Sequence, residues 1–170
     1  MSQIETKSTQ TIIHPLEPVY NADSRLLILG SFPSVKTRQY GFYYGNPLNR
    51  FWPLLATLFH ESTPKTITER YTFLLRHHIA MYDSIYQCDI AGSSDATIRH
   101  AIPSDLQPLF AAAPIHRVYC NGATAYRYYQ RYHAQKTGIP GVKLPSTSPA
   151  NARYRLDDLV EAWKAILEEG

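Results

Sequence analysis

The segment Leu26-Leu27-Ile28-Leu29-Gly30 sets the architecture of this chain. Four consecutive large apolar residues that end at a glycine are typical of a β-strand buried on both faces, as in a parallel sheet. Shorter apolar runs with similar endings follow downstream. They predict further strands over residues 79–82, ended by Asp83, over 117–120, ended by Asn121 and Gly122, and over 142–144.

Helical patterns separate these strands. Apolar residues recur at helical spacing over residues 51–59, 67–78, 103–113, 123–135 and 156–167. Because strands and helices alternate, the sequence predicts an α/β fold, a three-layer α/β/α sandwich with a central, mostly parallel sheet of about four strands. We expect residues 1–24 to form an irregular lead-in, residues 88–95 a loop, and residues 25–170 a single domain.

The composition excludes several classes of protein. The 170 residues are 44% hydrophobic and 18% charged, which is typical of a folded globular domain and not of a disordered chain. No apolar run approaches the ~20 residues that span a bilayer, and the polar start of the chain does not resemble a signal peptide. The two cysteines lie far apart and the seven histidines are scattered. We therefore expect a cytoplasmic monomer with no disulfide, metal, cofactor or membrane partner.

The charges are distributed unevenly along the chain. No Asp or Glu lies between Asp23 and Glu61, or between Asp105 and Asp157, whereas most of the lysines and arginines lie in those two windows. A polyanionic partner such as DNA would favour this distribution, because it repels carboxylates. Strands and site loops also carry few charges in general, so this pattern alone leaves both interpretations open.

Two loops that follow predicted strands carry most of the polar candidates. In parallel sheets ligands bind at the carboxyl ends of the strands, so we expect these loops to lie on one edge. The first begins with Gly30, where a ligand can approach the backbone closely, and continues to Asn49, which suits a helix cap. The second, residues 144–153, carries hydroxyls and an arginine that suit phosphate contacts, or forms an ordinary Pro/Ser turn. A serine nucleophile is not predicted, because the Gly-x-Ser-x-Gly elbow is absent.

Together the two loops resemble the uracil-DNA glycosylase superfamily. The segment Asn46-Pro47-Leu48-Asn49-Arg50-Phe51-Trp52 is similar to the His-Pro-x-Asn-Arg-Phe-Trp segment of the mismatch-specific uracil glycosylases. Ser146-Thr147-Ser148-Pro149-Ala150-Asn151 stands in the place of a second, Ser-Pro-containing motif. The resemblance is greatest to the hypoxanthine-DNA (deoxyinosine) glycosylase branch, whose Gly-Ser-x-Pro-Ser, Ala-x-x-Asp and Asn-Gly segments match residues 30–34, 80–83 and 121–122. It extends from about residue 25 to residue 163.

This resemblance implies roles for the matching residues. Asn49 is the implied catalytic residue, since the first motif lacks the Asp or Asn of many superfamily members. Asn46, where the family usually has His, is its rival. The implied base pocket comprises Gly30, Ser31, Phe32, Tyr44, Asn46 and Asp83, with Tyr44 supplying an aromatic face. The implied DNA-binding residues are Ser34, Ser146, Thr147, Ser148, Asn151 and Arg153.

The resemblance also implies an activity. We expect an enzyme that flips a deaminated base out of duplex DNA and hydrolyses its N-glycosidic bond, releasing hypoxanthine from deoxyinosine. No strand cleavage is expected, because neither motif contains a lysine that could form a Schiff base. An Asp83 carboxylate would favour hypoxanthine, which carries an N1–H donor, although Asp83 could instead cap a turn. The alternatives are a uracil or G:U mismatch glycosylase and a non-catalytic DNA-binding protein on the same fold.

Overall fold

The computed structural model describes residues 8–168, so the polar residues 1–7 lie outside the described part, as do 169 and 170. The strands are β1 (Thr9–Ile13), β2 (Leu26–Gly30), β3 (Ile79–Asp83), β4 (Ile85–Ala91), β5 (Arg99–Pro103), β6 (Arg117–Asn121) and β7 (Gly141–Leu144). The helices are α1 (Val35–Tyr40), α2 (Phe51–Leu58), α3 (Ile67–Arg76), α4 (Gln107–Ala112), α5 (Ala123–Tyr132), α6 (Ala134–Thr137) and α7 (Leu156–Trp163).

The central sheet is parallel, with the strand order β3-β2-β6-β7. All five residues of β2 are buried, as its apolar run predicts, because this strand lies between β3 and β6 with helices on both faces of the sheet. The register pairs Gly30 with Asp83 and Asn121 with Leu144. The carboxyl ends of the strands are therefore aligned along one edge, and the predicted α/β fold with a four-stranded parallel sheet is confirmed.

The helices cover this sheet through one large apolar core. Trp52 of α2 and Trp163 of α7 are both fully buried in it. The helices predicted over 51–59 and 67–78 are confirmed with small differences at their ends. The helix predicted over 103–113 is shorter, because Arg99–Pro103 is a strand and α4 begins at Gln107. The helix predicted over 123–135 is interrupted at His133, and the last helix tightens into a 3₁₀ turn over Lys164–Leu167.

A second, antiparallel sheet with the order β1-β4-β5 lies beside the first. It corrects two predictions. Thr9–Ile13, within the supposed irregular lead-in, is a strand that pairs with β4, and residues 88–91, within the supposed loop, belong to β4 itself. Both stretches were misread because their apolar side chains pack on one face only, around a small core of Phe32, Ile85, Cys88, Ile90 and Ile98.

Two further features concern membrane and redox chemistry. Within residues 8–168, no helix is long and apolar enough to cross a bilayer. Cys88 and Cys120 are both buried and unpaired. Burial raises the pKa of the Cys88 thiol to about 11 and that of Cys120 to about 12, so both thiols stay protonated and unreactive at neutral pH.

Candidate active site

Three residues meet at the carboxyl end of β2. Gly30 pairs with Asp83 across the parallel ladder, and the side chain of Asp83 lies against the glycine backbone. A Cβ at residue 30 would collide with Asp83 Oδ1 and would lie 3.1 Å from the hydroxyl of Tyr44. Gly30 is therefore needed for close approach, as the sequence predicts. It brings a carboxylate and an aromatic ring together at the edge where α/β proteins bind ligands.

Asp83 is buried, and His14 holds one of its oxygens. His14 Nε2 lies 2.7 Å from Asp83 Oδ2, and the side chain of His14 is fully buried. On the other side of the ring, the Leu16 N–H donates to His14 Nδ1 at 3.2 Å. An Nε2–H donor to the carboxylate satisfies both contacts, and it leaves Asp83 Oδ1 directed towards Gly30. His14 was not singled out from the sequence, because it lies in the segment that was expected to be irregular.

Tyr44 forms the aromatic side of the site. Its ring stacks on Phe51 with the centroids 4.2 Å apart, and its backbone adopts a left-handed conformation with φ of 54°. That conformation is costly for a residue with a Cβ, so packing around the ring must hold it in place. The hydroxyl is buried without a hydrogen-bond partner among the described residues. Burial, with the nearby charge of Asp83, raises the pKa of this hydroxyl and keeps it protonated.

Asn49 and Asn46 both use their amide oxygens to build the turn before α2. Asn49 Oδ1 accepts from the Phe51 N–H at 2.9 Å, and Asn46 Oδ1 accepts from the Leu48 N–H at 3.0 Å. The N-cap residue of α2 is Arg50 and not Asn49 as predicted; Asn49 instead bonds the first N–H of the helix from one residue earlier. Both side chains are half-buried. This hydrogen bond fixes the Asn49 amide in one orientation.

Arg50 joins the two motifs. Its backbone N–H donates to the carbonyl of Thr147 at 3.1 Å. Its guanidinium donates to the carbonyls of Ser148 at 2.7 Å and Asn151 at 3.0 Å, and also to the carbonyl of Tyr154. One side chain therefore fixes the loop over residues 146–154 to the start of α2, and the two motifs form one surface.

The second motif is internally braced. Thr147 is fully buried and exchanges two hydrogen bonds with Asn121, so this side chain cannot contact DNA as predicted; it anchors the loop instead. Ser146 Oγ and Ser148 Oγ accept from backbone amides within the loop, and Asn151 Nδ2 donates to the Ser146 carbonyl. Ser146, Ser148 and Asn151 thus shape the loop and remain partly accessible. Arg153 is exposed, in a position to meet a phosphate.

The first motif departs from expectation at two residues. Phe32 is only 8% exposed and packs in the smaller core, so it offers no free face for a base. Ser34 caps α1 by accepting from the Thr37 N–H at 3.1 Å, so its hydroxyl is already committed to the fold. Ser31 lies at the site, where its hydroxyl donates to both carboxylate oxygens of Asp95 at 3.0 Å.

Asp95, like His14, lies at the site and is missed by sequence reasoning. It opens a short 3₁₀ turn over Asp95–Thr97 between β4 and β5, within the stretch predicted as a plain loop. Burial and the charge of Asp83 raise its pKa, while hydrogen bonds from Ser31 and Thr124 and the charge of Arg127 act in the opposite direction. A signal existed, since Asp95 lies in the connection that follows the strand predicted over residues 79–82.

The described residues form no metal site, and two cavities of the structure lie away from Gly30. Within residues 8–168, no three His, Cys, Asp or Glu side chains come together as a metal site. Cavities of about 300 and 180 Å³ are lined by residues such as Thr68 and Arg76 of α3, and Asp105 and Lys136 near α4 and α6. Neither cavity includes Gly30, Asp83 or Tyr44.

Comparisons with known proteins match this geometry. Residues 17–167 match the family described as the Uracil DNA glycosylase superfamily. A hypoxanthine DNA glycosylase of Methanosarcina acetivorans is 31% identical over 150 residues, which is 87% of this chain and 93% of that protein. One of Methanosarcina barkeri is 30% identical over 152 residues, 86% of this chain and 95% of that protein. A solution NMR structure from M. acetivorans, described as a candidate uracil DNA glycosylase, has a TM-score of 0.76 at 26% identity and covers 92% of this chain and all of that one.

The fold and the paired motifs define an enzyme of the DNA glycosylase class, a hydrolase of N-glycosyl bonds. The chain belongs to the uracil DNA glycosylase superfamily.

Proposed function

We propose that this glycosylase releases hypoxanthine from deoxyinosine in duplex DNA. The observation that carries this proposal is the buried carboxylate of Asp83, which His14 holds on one side so that its second oxygen faces the Gly30 backbone. The names of the two Methanosarcina relatives, both hypoxanthine DNA glycosylases, support the same substrate.

Asp83 distinguishes bases by hydrogen-bond polarity. A carboxylate accepts hydrogen bonds and cannot donate them when ionised. Hypoxanthine presents an N1–H donor, whereas adenine presents a bare N1 acceptor that would face the carboxylate unpaired. A buried polar group left unpaired costs about 1–3 kcal/mol, or roughly 10- to 100-fold in binding. Guanine also carries N1–H, so Asp83 separates hypoxanthine from adenine and not from guanine.

The base must leave the duplex to reach Asp83. A glycosylase cannot reach the bond inside a base stack, so it extrudes the nucleotide. The exposed side of the Tyr44 ring, which is backed by Phe51, is a suitable platform for the extruded base. Arg153 and the accessible edge of the second motif would hold the flanking phosphates.

Asn49 is the proposed catalytic residue. Its amide oxygen is fixed by the Phe51 N–H, which leaves the Nδ2 donors and the second lone pair of the oxygen to orient a water molecule. The water attacks C1′ as the bond to the base breaks through an oxocarbenium-like sugar. The two motifs contain no lysine, so the products are a free base and an intact abasic strand.

A single-turnover excision assay tests this proposal. Duplexes with one deoxyinosine or one deoxyuridine are incubated with excess wild-type enzyme, Asn49→Ala or Asn46→Ala, and alkali then reveals abasic sites. We expect hypoxanthine release by wild type, a loss of at least 100-fold in Asn49→Ala, and a smaller loss in Asn46→Ala. Strand breaks before alkali would contradict the monofunctional mechanism.

Uracil is the second candidate substrate, because its N3–H could also donate to Asp83 and because the structural relative from M. acetivorans is described as a uracil glycosylase. Faster release of uracil than of hypoxanthine in the same assay would favour it. Tight duplex binding with no release of either base would instead favour a DNA-binding protein that has lost its chemistry.

A further inference from the structure

A second carboxylate faces the proposed base site from the antiparallel sheet. Asp95 lies between β4 and β5, and both of its oxygens accept from the Ser31 hydroxyl at 3.0 Å. Ser31 directly follows Gly30, and its carbonyl oxygen accepts from the Ile85 N–H at 3.2 Å. Asp95 is thereby held beside the end of β2, and its side chain is only partly exposed. The proposed roles of Asp83, Tyr44 and Asn49 leave this carboxylate without a function.

Asp95, Asp83 and the Tyr44 hydroxyl belong to one cluster. The negative charges of Asp83 and Asp95 both raise the pKa of the Tyr44 hydroxyl, and the charge of Asp83 raises the pKa of Asp95. The geometry agrees: Asp83 Oδ1 and the Tyr44 hydroxyl both lie against the position of a Gly30 Cβ, and Asp95 is hydrogen-bonded to Ser31, the next residue. The Tyr44 hydroxyl is buried without a hydrogen-bond partner of normal geometry among the described residues, so a polar ligand that reached it would satisfy it. Like charges in one closed site are costly and are commonly found where chemistry requires them.

We propose that Asp95 is the general base that accepts a proton from the attacking water. This inference rests on the proposed hydrolysis of the N-glycosidic bond. Asn49 orients the water through its amide, but an amide is too weak a base to accept the proton that the attacking water releases. Asp95 has that capacity, and Ser31 fixes the direction of its carboxylate.

The step balances without a cofactor. The water oxygen forms a bond to C1′, and the C1′–N9 bond breaks with its electron pair leaving on the base. One water proton moves to the Asp95 carboxylate, and the base anion takes a proton from solvent. Asp95 then returns its proton to solvent, so the products are an abasic sugar and neutral hypoxanthine.

The surroundings of Asp95 tune it for this role. Burial and Asp83 raise its pKa, and Ser31, Thr124 and Arg127 act to lower it. A raised pKa makes the ionised carboxylate a better proton acceptor, provided that it is ionised at the working pH. The excision rate should therefore fall on the acidic side as Asp95 becomes protonated.

The test compares Asp95→Asn with wild type across pH in single-turnover assays on deoxyinosine and deoxyuridine duplexes. We expect a rate at least 100-fold lower and an unchanged duplex Kd. The residual rate should no longer fall at acidic pH, so the pH–rate profile should lose its acidic limb. Ser31→Ala, which removes a bond that lowers the Asp95 pKa, should retain the limb and move it to higher pH. Asn49→Ala should lower the rate and leave the limb in place.

Asp89→Asn is the matched control, because Asp89 is a carboxylate of β4 that pairs with Thr11 and His100 away from the site. Circular dichroism and thermal melting verify that each variant is folded. An active wild type with Asp95→Asn within a few-fold of its rate, or with the acidic limb preserved, overturns the general-base role and leaves the proposed function intact. A wild type that releases neither base overturns both.

Discussion

Asn121 and Thr147 exchange two hydrogen bonds across the carboxyl edge of the central sheet. Asn121 Nδ2 donates to Thr147 Oγ1 and the Thr147 N–H donates to Asn121 Oδ1, each at 3.0 Å. Asn121 ends β6, and Thr147 lies at the centre of the second motif, fully buried. The loop proposed to bind DNA is therefore anchored to the sheet by an amide side chain, and the identity of both residues matters for its shape.

Asn121→Ala should destabilise the protein by about 2 kcal/mol, because it removes two hydrogen bonds and leaves the Thr147 N–H unpaired in a buried place. Thr147→Val removes the hydroxyl alone and should cost less. Urea unfolding of both single variants and of the double variant measures the coupling between the residues. Additive losses within about 0.3 kcal/mol would contradict the paired arrangement.

Gly30→Ala should abolish most excision while leaving the fold intact. The added Cβ would collide with Asp83 Oδ1 and crowd the Tyr44 hydroxyl, so both side chains must move away from the site. We expect a rate loss of tenfold or more. Gly138→Ala is a contrasting control, since Gly138 has a left-handed φ of 71° with open space around it. That change should cost about 1 kcal/mol of stability through backbone strain and spare excision. Equal excision by Gly30→Ala and wild type would argue against this site.

Asp83→Asn should alter base preference more than DNA affinity. If His14 Nε2–H donates to the new amide oxygen, the NH₂ group faces the base, and it would meet the hypoxanthine N1–H as a second donor. Hypoxanthine release should fall about 10- to 100-fold, whereas the Kd for undamaged duplex should stay the same. Excision rates for paired deoxyinosine and deoxyuridine substrates, with fluorescence anisotropy for affinity, measure the two effects. An unchanged preference would show that Asp83 does not contact the base.

Arg153→Ala should weaken binding to damaged and undamaged duplexes equally. Arg153 is exposed beside the second motif, where a phosphate contact would carry no sequence information. Loss of one such contact should reduce the slope of log K against log salt concentration by about 1. Titrations at several salt concentrations test this. A slope equal to that of wild type would place the phosphate contacts on other residues.

Asp95→Asn should stabilise the folded protein at neutral pH. The folded pKa of Asp95 is raised above its unfolded value, so the folded state binds more protons than the unfolded state between those two values. The charged carboxylate therefore costs stability above the folded pKa, and this cost disappears as the pH falls towards the unfolded value near 3.8. Thermal melts should show a gain at pH 7 that shrinks at acidic pH. A variant less stable than wild type at pH 7 would contradict a burial penalty at this carboxyl.

The elements that could be predicted from the sequence are those whose signals are local. A continuous apolar run defines β2, and the stripe that includes Leu159 and Trp163 defines α7. The antiparallel sheet was missed because Thr9–Ile13 is mostly exposed and its partner lies in Ile85–Ala91, far along the chain. Pairing over such a distance depends on tertiary packing, which a local pattern does not record.

The residues of the candidate site show the same difference between local signals and long-range contacts. The sequence singles out Gly30, Asp83 and Asn49 because each lies at the end or start of a recognisable element. Phe32 was assigned to the pocket by its neighbours in sequence, although its ring packs in the smaller core. His14 directly follows β1, and Asp95 lies in the connection predicted as plain loop, so their positions near Gly30 depend on a sheet that the local pattern does not reveal.

The hydrogen bonds of Arg50 limit how the two motifs can move relative to each other. Its guanidinium and backbone bind four carbonyl groups of the loop over residues 146–154, so the segment that carries Asn49 and the loop proposed to bind the phosphates cannot move independently. A lysine would keep the charge and lose the planar fork of donors. With both sides of the cleft fixed relative to each other, the strain of exposing a buried nucleotide falls on the duplex. Lesions that already weaken base pairing would then be opened more easily, and the stiffness of the protein would contribute to the choice of damaged sites.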